Sequence, residues 1–461
     1  WEVGGPDANW TSTDTFFFNG DAVTFSDTGA GTVEINDLDG DRPAPGSVTF
    51  ANTAGNDYTI TGSAITGSGG MTVMGGGTVT LTQDNSFTGG MTVDNGTLEL
   101  AEPVNNGTGV LVGDVTVNAN GTLLASESNV FGWASAATKI NTLNINGGSV
   151  HTTAAGDNGW NLTVNMAGGE LGNNGNDTSY FSLGGYVGGG SAVNTLASGD
   201  TALISAELRL RENNSDGVLD GQLPFTVADG AAGTDLLVSG DIVQAGPARG
   251  ITKLGAGTML LSGAKNIWSG PTLAKEGCLM MNDFFSIPSL VNVTVSDGAG
   301  FGGIVGVSNL IDLDIADIIA SVTWDAGGNA RLVLDTNGAD VRVAADIIGN
   351  FKILKKGAGD LTLTGTVTVN EIIEEEGTVI RPSEGDEIAI DGITTTPGTN
   401  SGLKVSIAFT ATGNVDVYAS GDLQNWGEAI ANEVASSPFV EDDLPAAKRY
   451  YLFVPAGDPA P

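Results

Sequence analysis

Short runs of alternating apolar and polar residues, each closed by glycine, asparagine or aspartate, recur along this 461-residue chain. Residues 78–81, 97–100 and 114–117 are such runs, and a turn signal such as Asn95-Gly96 lies beside them. Alternation places every second side chain on one face of a strand, and Asn-Gly favours a tight turn. With 70 glycines and only 6% aromatic residues, the composition favours short strands over helices. We therefore predict an all-β fold.

Three longer segments can be laid over one another: residues 70–81, 250–261 and 351–363. Each reads as a strand, a turn with glycines two positions apart, and a second strand. The first two continue alike through a polar loop to a further pair of strands. A unit of this kind cannot bury its apolar face alone. Stacked on its neighbours, it extends one hydrogen-bond ladder and one core, which is how a solenoid is built.

These segments resemble the autotransporter-associated β-strand repeat, also called the passenger-associated transport repeat, of large secreted bacterial proteins. The family pattern runs from Leu-Thr-Lys through Gly-x-Gly-Thr-Leu and Asn-x-aromatic-Ser/Thr-Gly to a closing Gly-Thr-Leu. Residues 251–270 match it closely, residues 71–98 match it well, and residues 351–380 match only its first half. The resemblance implies a right-handed parallel β-helix, secretion, and a role at a cell surface or in a matrix.

We predict that the parallel β-helix spans residues 1–382. The resemblance implies about 20 residues per coil, hence ~19 coils and a rod on the order of 90 Å long. Residues 309–320 are the best helical candidate, because five aliphatic residues could line one face of a helix: Leu310, Leu313, Ile315, Ile318 and Ile319. Their alternation fits a strand nearly as well, and we predict a strand there.

The last part of the chain has a different pattern. From about residue 382 the glycine-rich turns stop, and conventional alternation appears at residues 404–409, 415–418 and 449–454. Together with an Asp-Leu-x-Asn-Trp element that ends at Trp426, this resembles the small β-sandwich that often ends such secreted proteins. We predict a β-sandwich over residues 383–461, serving to cap the open edge of the solenoid or in assembly.

The charge balance is strongly acidic, since 54 Asp and Glu residues against 17 Lys and Arg give a net charge of −37. Such a chain repels nucleic acid phosphates and anionic membrane surfaces, so neither is an expected partner. No apolar run approaches the roughly 18 residues of a membrane span. Cys278 is the single cysteine, so no intrachain disulfide can form.

The ends of the sequence also carry information. The chain begins at Trp1 without a positively charged apolar leader, which is typical of a mature chain whose secretion signal has been removed. An artificial truncation is the alternative interpretation. With the resemblance, this predicts an extracellular or cell-surface protein of a Gram-negative bacterium. Residues 455–461 do not read as the closing strand of a membrane barrel. We expect a protein that is released, held by partners or self-assembling.

Residues able to carry catalysis are few. His151 is the only histidine, and nothing near it in sequence suggests the nucleophile of a serine–histidine–acid triad. Cys278 stands where the repeat has threonine, so we interpret it as a small buried residue. The densest acidic group, Glu371 with residues 374–376, would be divided over two faces of a strand, which favours a solvated edge over an acid–base pair. We therefore predict that the protein is not an enzyme.

Asp37, Asp39 and Asp41 are the best candidate metal ligands, for calcium, because alternating Asp and Asn oxygens about a glycine turn resemble half of a calcium loop. The bidentate glutamate of such loops is missing, and an Asx-rich turn is the alternative interpretation. We expect no other cofactor. Tryptophans could stack on sugar rings, although burial is the favoured interpretation for these five: Trp1, Trp10, Trp133, Trp160 and Trp268.

The leading functional hypothesis is structural. It describes a secreted subunit of an extracellular filament, sheath or surface layer, which polymerises head to tail through β-edges with further copies of itself. The alternative is a surface adhesin or glycan-binding protein, whose partners would be extracellular polysaccharide or other cell-surface components. A polysaccharide-active enzyme is the least favoured of the three hypotheses. 

Overall fold

The structure is a computed structural model, and its dominant feature is a parallel β-solenoid of about 13 turns. The predicted parallel β-helix is therefore confirmed. The described residues are 17–37, 40–102, 107–154, 156, 158–176, 178–186, 190–213, 221–246, 248–306, 308–381, 389–397, 403–410, 415–420, 431–434, 439–444 and 450–455.

Each coil adds one strand to the first of two long columns, which we call column A. Its strands pair in parallel register, so that Val23 lies beside Val48 and Val48 beside Met71. In chain order they are Ala22–Phe25, Ser47–Phe50, Gly70–Val73, the first part of Met91–Leu100, the first part of Gly113–Ala125, Ile140–Asn146, Thr163–Met166, Ala192–Thr195, Gln222–Val227, Gly250–Leu254, Thr272–Ala274, Val293–Val295 and Thr323–Trp324.

Column B is the second column, and it joins column A in one 26-stranded sheet because two long strands run through the corner between them. In chain order its strands are Gly31–Ile35, Tyr58–Gly62, Thr78–Leu81, the second parts of Met91–Leu100 and Gly113–Ala125, Ser149–Thr152, Glu170–Gly172, Ala202–Ile204, Leu236–Val238, Thr258–Leu261, Cys278–Met281, Gly300–Ile304, Arg331–Asp335, Lys352–Lys356 and Glu371–Glu374.

Shorter elements complete the coils. One parallel sheet holds four strands: Asn158–Trp160, Tyr180–Tyr186, Glu207–Asn213 and Ile242–Ala245. Ile347–Ile348 pairs with Val367–Thr368. The remaining elements of this part of the chain are the strands Val341–Val343, Leu361–Leu363 and Val379–Ile380, the 3-10 helices Phe284–Ser286 and Leu290–Asn292, and the α-helix Asp312–Ser321.

The core lies inside the solenoid and consists of every second side chain of the alternating strands. In Ala22–Phe25, for example, Val23 and Phe25 are buried while the residues before each of them are not. Because neighbouring coils are in register, like side chains stack: the Phe25 and Phe50 rings lie 4.8 Å apart and nearly parallel. Burial of each apolar row thus depends on the next coil, as the repeat pattern predicts.

The number of coils differs from the prediction of ~19 at about 20 residues each. Hydrogen bonds between neighbouring coils show the reason. Asn165 donates to Asn144, 21 residues earlier, but Asn194 donates to Asn165 across 29 residues, and Ala228 donates to Thr195 across 33. The middle coils are therefore longer than the matched repeats, and the solenoid has about 13 turns.

The strand predicted over residues 309–320 is wrong, because an α-helix spans Asp312–Ser321. Ile315 and Ile318 are fully buried at the i, i+3 spacing of a helix, whereas Leu313 is 67% exposed. A strand would place Leu313 and Ile315 on the same face. The Asp314 carboxylate accepts the Ile311 N–H at 2.9 Å, and carboxylates in the first turn favour a helix start.

Cys278 is buried and its thiol is free, so its interpretation as a small buried residue is confirmed. Cys278 and Leu279 lie on opposite faces of column B. On its own face Cys278 packs with Met280, Ile304, Val333 and Leu354 in a cluster of buried side chains. Burial raises the pKa of its thiol.

The C-terminal region contains two antiparallel sheets. One comprises Ala389–Pro397, Leu403–Thr410 and Phe439–Leu444, and the other comprises Ala431–Val434, Val415–Ser420 and Tyr450–Pro455. Their inner faces share a core, in which the Phe453 ring lies 5.2 Å from that of Phe409 and 5.9 Å from that of Phe439. This agrees with the predicted small β-sandwich. Trp426 lies outside the described residues.

Two compact units make up the chain. The first is Trp1–Leu361 with Gly365–Thr378, and the second is Thr362–Thr364 with Val379–Pro461. The domain limits of 1–382 and 383–461 stay a prediction. Among the described residues, no helix has the length and apolar character needed to cross a membrane.

Candidate functional site

A groove opens beside the α-helix, between residues 304–312 of one coil and residues 336–343 of the next. Its volume is about 610 Å³, within the range of small-ligand sites. Aliphatic side chains of Ile304, Leu310, Val341 and Val343 line it, and three of these are buried. Polar side chains complete the lining: Ser308, Asn309, Asp312, Thr336, Asn337, Asp340 and Arg342.

The groove exists because the chain leaves the column B ladder after Ile304. The Val305 N–H still donates to the Asp335 carbonyl oxygen at 2.9 Å, but the Leu310 N–H returns to the Ile304 carbonyl oxygen at 3.0 Å. The Leu310 N–H thus meets the end of the strand again two residues before the helix begins at Asp312. The helix that follows contacts the strand Ile347–Ile348 of the next coil.

Asp312 ties the start of the helix to the next coil. One of its carboxylate oxygens accepts the N–H groups of Ala344 at 2.7 Å and Ala345 at 3.2 Å. Asp340, on the other wall, accepts the Asp360 N–H at 2.9 Å. Both carboxylates are thereby held in fixed orientations at the groove. The lining thus combines these two carboxylates and the Arg342 guanidinium with aliphatic residues.

Apolar side chains are also exposed on the helix beside the groove and on two elements that contact the helix. The helix contacts the 3-10 helix Leu290–Asn292 and the strand Ile347–Ile348. Val291, Leu313 and Ile348 are each more than half exposed on these elements. Clustered exposed aliphatic residues are typical of a surface that meets another macromolecule.

The predicted calcium site is only partly described. The Asp37 carboxylate lies 3.1 Å from the Arg42 guanidinium, and Asp41 is exposed. Asp39 lies outside the described residues. Within the part of the chain that the structure describes, no group of three or more His, Cys, Asp or Glu side chains could hold a metal ion. The calcium site at Asp37, Asp39 and Asp41 stays a prediction.

His151 has neighbours that its sequence context does not reveal. Its Nε2 lies 3.4 Å from one carboxylate oxygen of Glu170, and the Ser205 hydroxyl donates to the other. Gly172 leaves the space in which the three side chains meet. In a hydrolase triad the imidazole accepts the serine proton, whereas here the serine donates to the carboxylate. The arrangement does not support nucleophilic catalysis.

The acidic group of the last solenoid coil lies on the surface. Glu371 and residues 374–376 are exposed, and two of these carboxylates form ion pairs of 2.7 Å, Glu371 with Lys352 and Glu375 with Lys356. The solvated edge that the sequence predicts is confirmed.

The tryptophans do not form an exposed row within the described residues. Trp160 and Trp268 are buried, and Trp133 is half-buried. Trp1 and Trp10 lie outside the described residues. The burial predicted for these side chains is confirmed for Trp160 and Trp268.

A buried lysine is the feature of the repeat that sequence reasoning missed. Lys253 is fully buried in column A, between Phe225 and Ala274 of the neighbouring coils. Its ammonium donates to the carbonyl oxygens of Leu254 at 3.1 Å, Gly255 at 2.8 Å and, one coil further on, Glu276 at 3.1 Å. It thus links the turn of its own coil to the turn of the next. Burial lowers the pKa of Lys253 to about 8.

Lys355 repeats this arrangement in the segment 351–380. It is also fully buried, and it donates to the carbonyl oxygens of Lys356, Gly357 and Glu376. Burial lowers its pKa as well. The signal that could have revealed both lysines is their position two residues before a turn glycine. In the first segment Val73 takes that position.

Comparison with known families agrees with this local architecture. The sequence model described as passenger-associated-transport-repeat matches residues 71–100 and 251–279. These two segments of the chain are therefore similar to passenger-associated transport repeats. The second of them contains Lys253 and its contact to Glu276. Residues 351–380 are outside the matched segments, although Lys355 makes the corresponding contacts.

The chain is also similar to the "Adhesin BmaC autotransporter" of Brucella suis biovar 1 (strain 1330). The two sequences are 30% identical over 286 residues, which are 49% of this chain and 8% of the relative. The chain therefore spans a small part of the length of that relative. No solved structure matches the chain. The passenger-associated transport repeats and this relative identify a secreted or cell-surface protein of a Gram-negative bacterium.

Proposed function

We propose that this chain is part of the surface-exposed passenger of an adhesin, in which the solenoid holds a binding surface away from the cell. The observation that carries the proposal is the similarity of half of the chain to a protein named as an adhesin. The groove beside Asp312–Ser321 supports it, because a uniform scaffold has no need of a ligand-sized opening with exposed apolar residues around it.

The adhesin hypothesis replaces the filament subunit as our preferred function. Both use the same stiff parallel solenoid, so the fold does not separate them. The matched repeats and the named relative favour adhesion, while head-to-tail assembly has no observation of its own. We also infer that the chain is not an enzyme, since Glu371 and Glu375 are engaged with lysines and His151 lies beside a carboxylate that already accepts the Ser205 hydroxyl.

A bead adhesion assay tests the proposal. The full chain is coupled to fluorescent beads, and their retention is measured on cultured cells and on surfaces coated with extracellular-matrix protein or with polysaccharide. We expect saturable retention on at least one surface, competed by the free chain. Beads carrying the heat-unfolded chain control for net charge. Retention equal to that of the unfolded control on every surface would refute adhesion.

A further inference from the structure

We propose that the groove between residues 304–312 and 336–343 binds a lysine- or arginine-bearing segment of a partner protein. The inference rests on the adhesin function, and it adds the chemical class of the ligand. A basic side chain has two parts, an aliphatic stem and a cationic head. The groove offers a counterpart to each of them.

The aliphatic lining suits the stem. Ile304, Leu310 and Val343 are buried in the solenoid, whereas Ile311 is 48% exposed and Val341 is half-buried, so these two present aliphatic surface in the groove. A methylene chain laid on Ile311 and Val341 removes their apolar area from water without any rearrangement of the coil.

The carboxylates suit the cationic head. Asp312 is fixed by the N–H groups of Ala344 and Ala345, and Asp340 by that of Asp360. Held carboxylates lose little freedom when a cation binds, which favours association. Arg342 is the basic residue of the lining, so the groove has two carboxylates and one guanidinium and keeps a net negative charge. The net charge of −37 attracts a basic partner at longer range.

Other ligand classes fit less well. None of the residues that line the groove is aromatic, and the described tryptophans are buried or half-buried, so a platform for stacking a sugar ring is missing from this part of the structure. An anion would meet two carboxylates and only one guanidinium, that of Arg342. Leu313 and Ile348 are exposed beside the groove, and they provide apolar contacts for the residues that flank the basic side chain. A polypeptide segment uses all of these features.

The probe is a fluorescent peptide in which lysine and leucine alternate, and its binding to the full chain is followed by anisotropy. Asp340→Asn removes a charge from the groove and keeps an oxygen for the Asp360 N–H. The matched control is Asp57→Asn, since Asp57 likewise accepts a backbone N–H, that of Thr78 at 2.7 Å, far from the groove in sequence. We expect Asp340→Asn to weaken binding about fivefold and Asp57→Asn to leave it unchanged.

Several results would overturn the inference: no binding of the peptide, equal weakening by both variants, or undiminished binding of a peptide with glutamate in place of lysine. A glycan whose binding is lost in Asp340→Asn would assign the groove to carbohydrate instead. Self-association abolished by Asp340→Asn would assign it to a second copy.

The bead assay separates this inference from the proposed function. If beads carrying Asp340→Asn are retained as well as the wild type, adhesion stands and the groove is not its site. If wild-type beads are not retained on any surface while the peptide still binds, the adhesin function is refuted, but the proposal that the groove binds a basic segment stands.

Discussion

Replacing Lys253 by methionine tests whether the buried ammonium holds neighbouring coils together. Methionine retains most of the aliphatic stem between Phe225 and Ala274 but cannot donate a hydrogen bond. The carbonyl oxygens of Leu254, Gly255 and Glu276 then lose a charged donor. Because the last of these lies in the following coil, the loss is expected at the contact between two coils.

Two opposing effects set the magnitude. Three hydrogen bonds from a charged donor contribute on the order of 5 kcal/mol. Burial opposes them, since the pKa of Lys253 falls from 10.5 to about 8, which corresponds to ~3 kcal/mol against the charged form. We therefore expect Lys253→Met to lower the free energy of unfolding at pH 7 by about 2 kcal/mol.

The pH dependence has a definite sign. The pKa of Lys253 is lower in the folded state, so the unfolded state binds more protons between pH 8 and pH 10.5. The stability of the wild type relative to Lys253→Met therefore rises with pH across this window. Lys139 has a pKa that burial also lowers to about 8, but it is present in both proteins and cancels in the difference.

Urea unfolding followed by circular dichroism gives the stability, and hydrogen exchange of residues 250–281 locates its change. Lys275→Met is the matched control, because Lys275 is exposed in the next coil. It should alter stability by less than ~0.5 kcal/mol. The reasoning is refuted if Lys253→Met lowers the free energy of unfolding no more than this control does. It is also refuted if the difference in stability between the wild type and Lys253→Met becomes smaller as the pH rises from 8 to 10.5.

Two further predictions concern single residues of the repeats. Since Cys278 is buried and its thiol pKa is raised, a thiol reagent should label it only as fast as the protein unfolds, and rapid labelling of native protein would contradict its burial. Gly255→Ala should lower the Tm well below that of Gly298→Ala. Both glycines have positive φ, of 78° and 72°. A Cβ added at Gly255 would lie 2.4 Å from the Val227 carbonyl oxygen, whereas a Cβ added at Gly298 would have no heavy atom within 4 Å. Equal Tm losses would contradict the steric argument.

The sequence predicts the repetitive part of the fold well because its signals are local. Alternation and glycine turns specify strands, and the repeat spacing specifies that they stack. The sandwich core around Phe409 and Phe453 follows similarly from alternation after residue 382. The coil count is not local, since it depends on the loops between strands, and the insertions that make Asn194 lie 29 residues from Asn165 leave no periodic signal.

The position of a segment within the solenoid was also not predictable. Residues 250–254 and 352–356 align in sequence and place Lys253 and Lys355 identically relative to the following glycine. Yet the first strand belongs to column A and the second to column B. A local strand-turn-strand pattern fits any side of the coil, and only the length of the preceding coils decides which side it occupies.

The groove was not predicted from the sequence, for a related reason. Its carboxylates, Asp312 and Asp340, lie in neighbouring coils and come together through the ladder rather than through a motif. Their region also combines two competing periodicities, in which the helix prevails because Ile315 and Ile318 are both buried.

Regularity and function make opposite demands on a solenoid. Each regular coil satisfies the backbone hydrogen bonds of the next coil and presents the same shallow surface, so stiffness comes from repetition. A ligand needs a concave surface with a few fixed polar groups, and stacked identical strands do not form one. Such a site can therefore arise only where the ladder is interrupted and the interruption is itself held in place. The helix Asp312–Ser321 meets both conditions, since it displaces the chain from the ladder while Asp312 fastens it to the next coil. For this reason a search for binding in proteins of this architecture belongs at the coils that break the repeat.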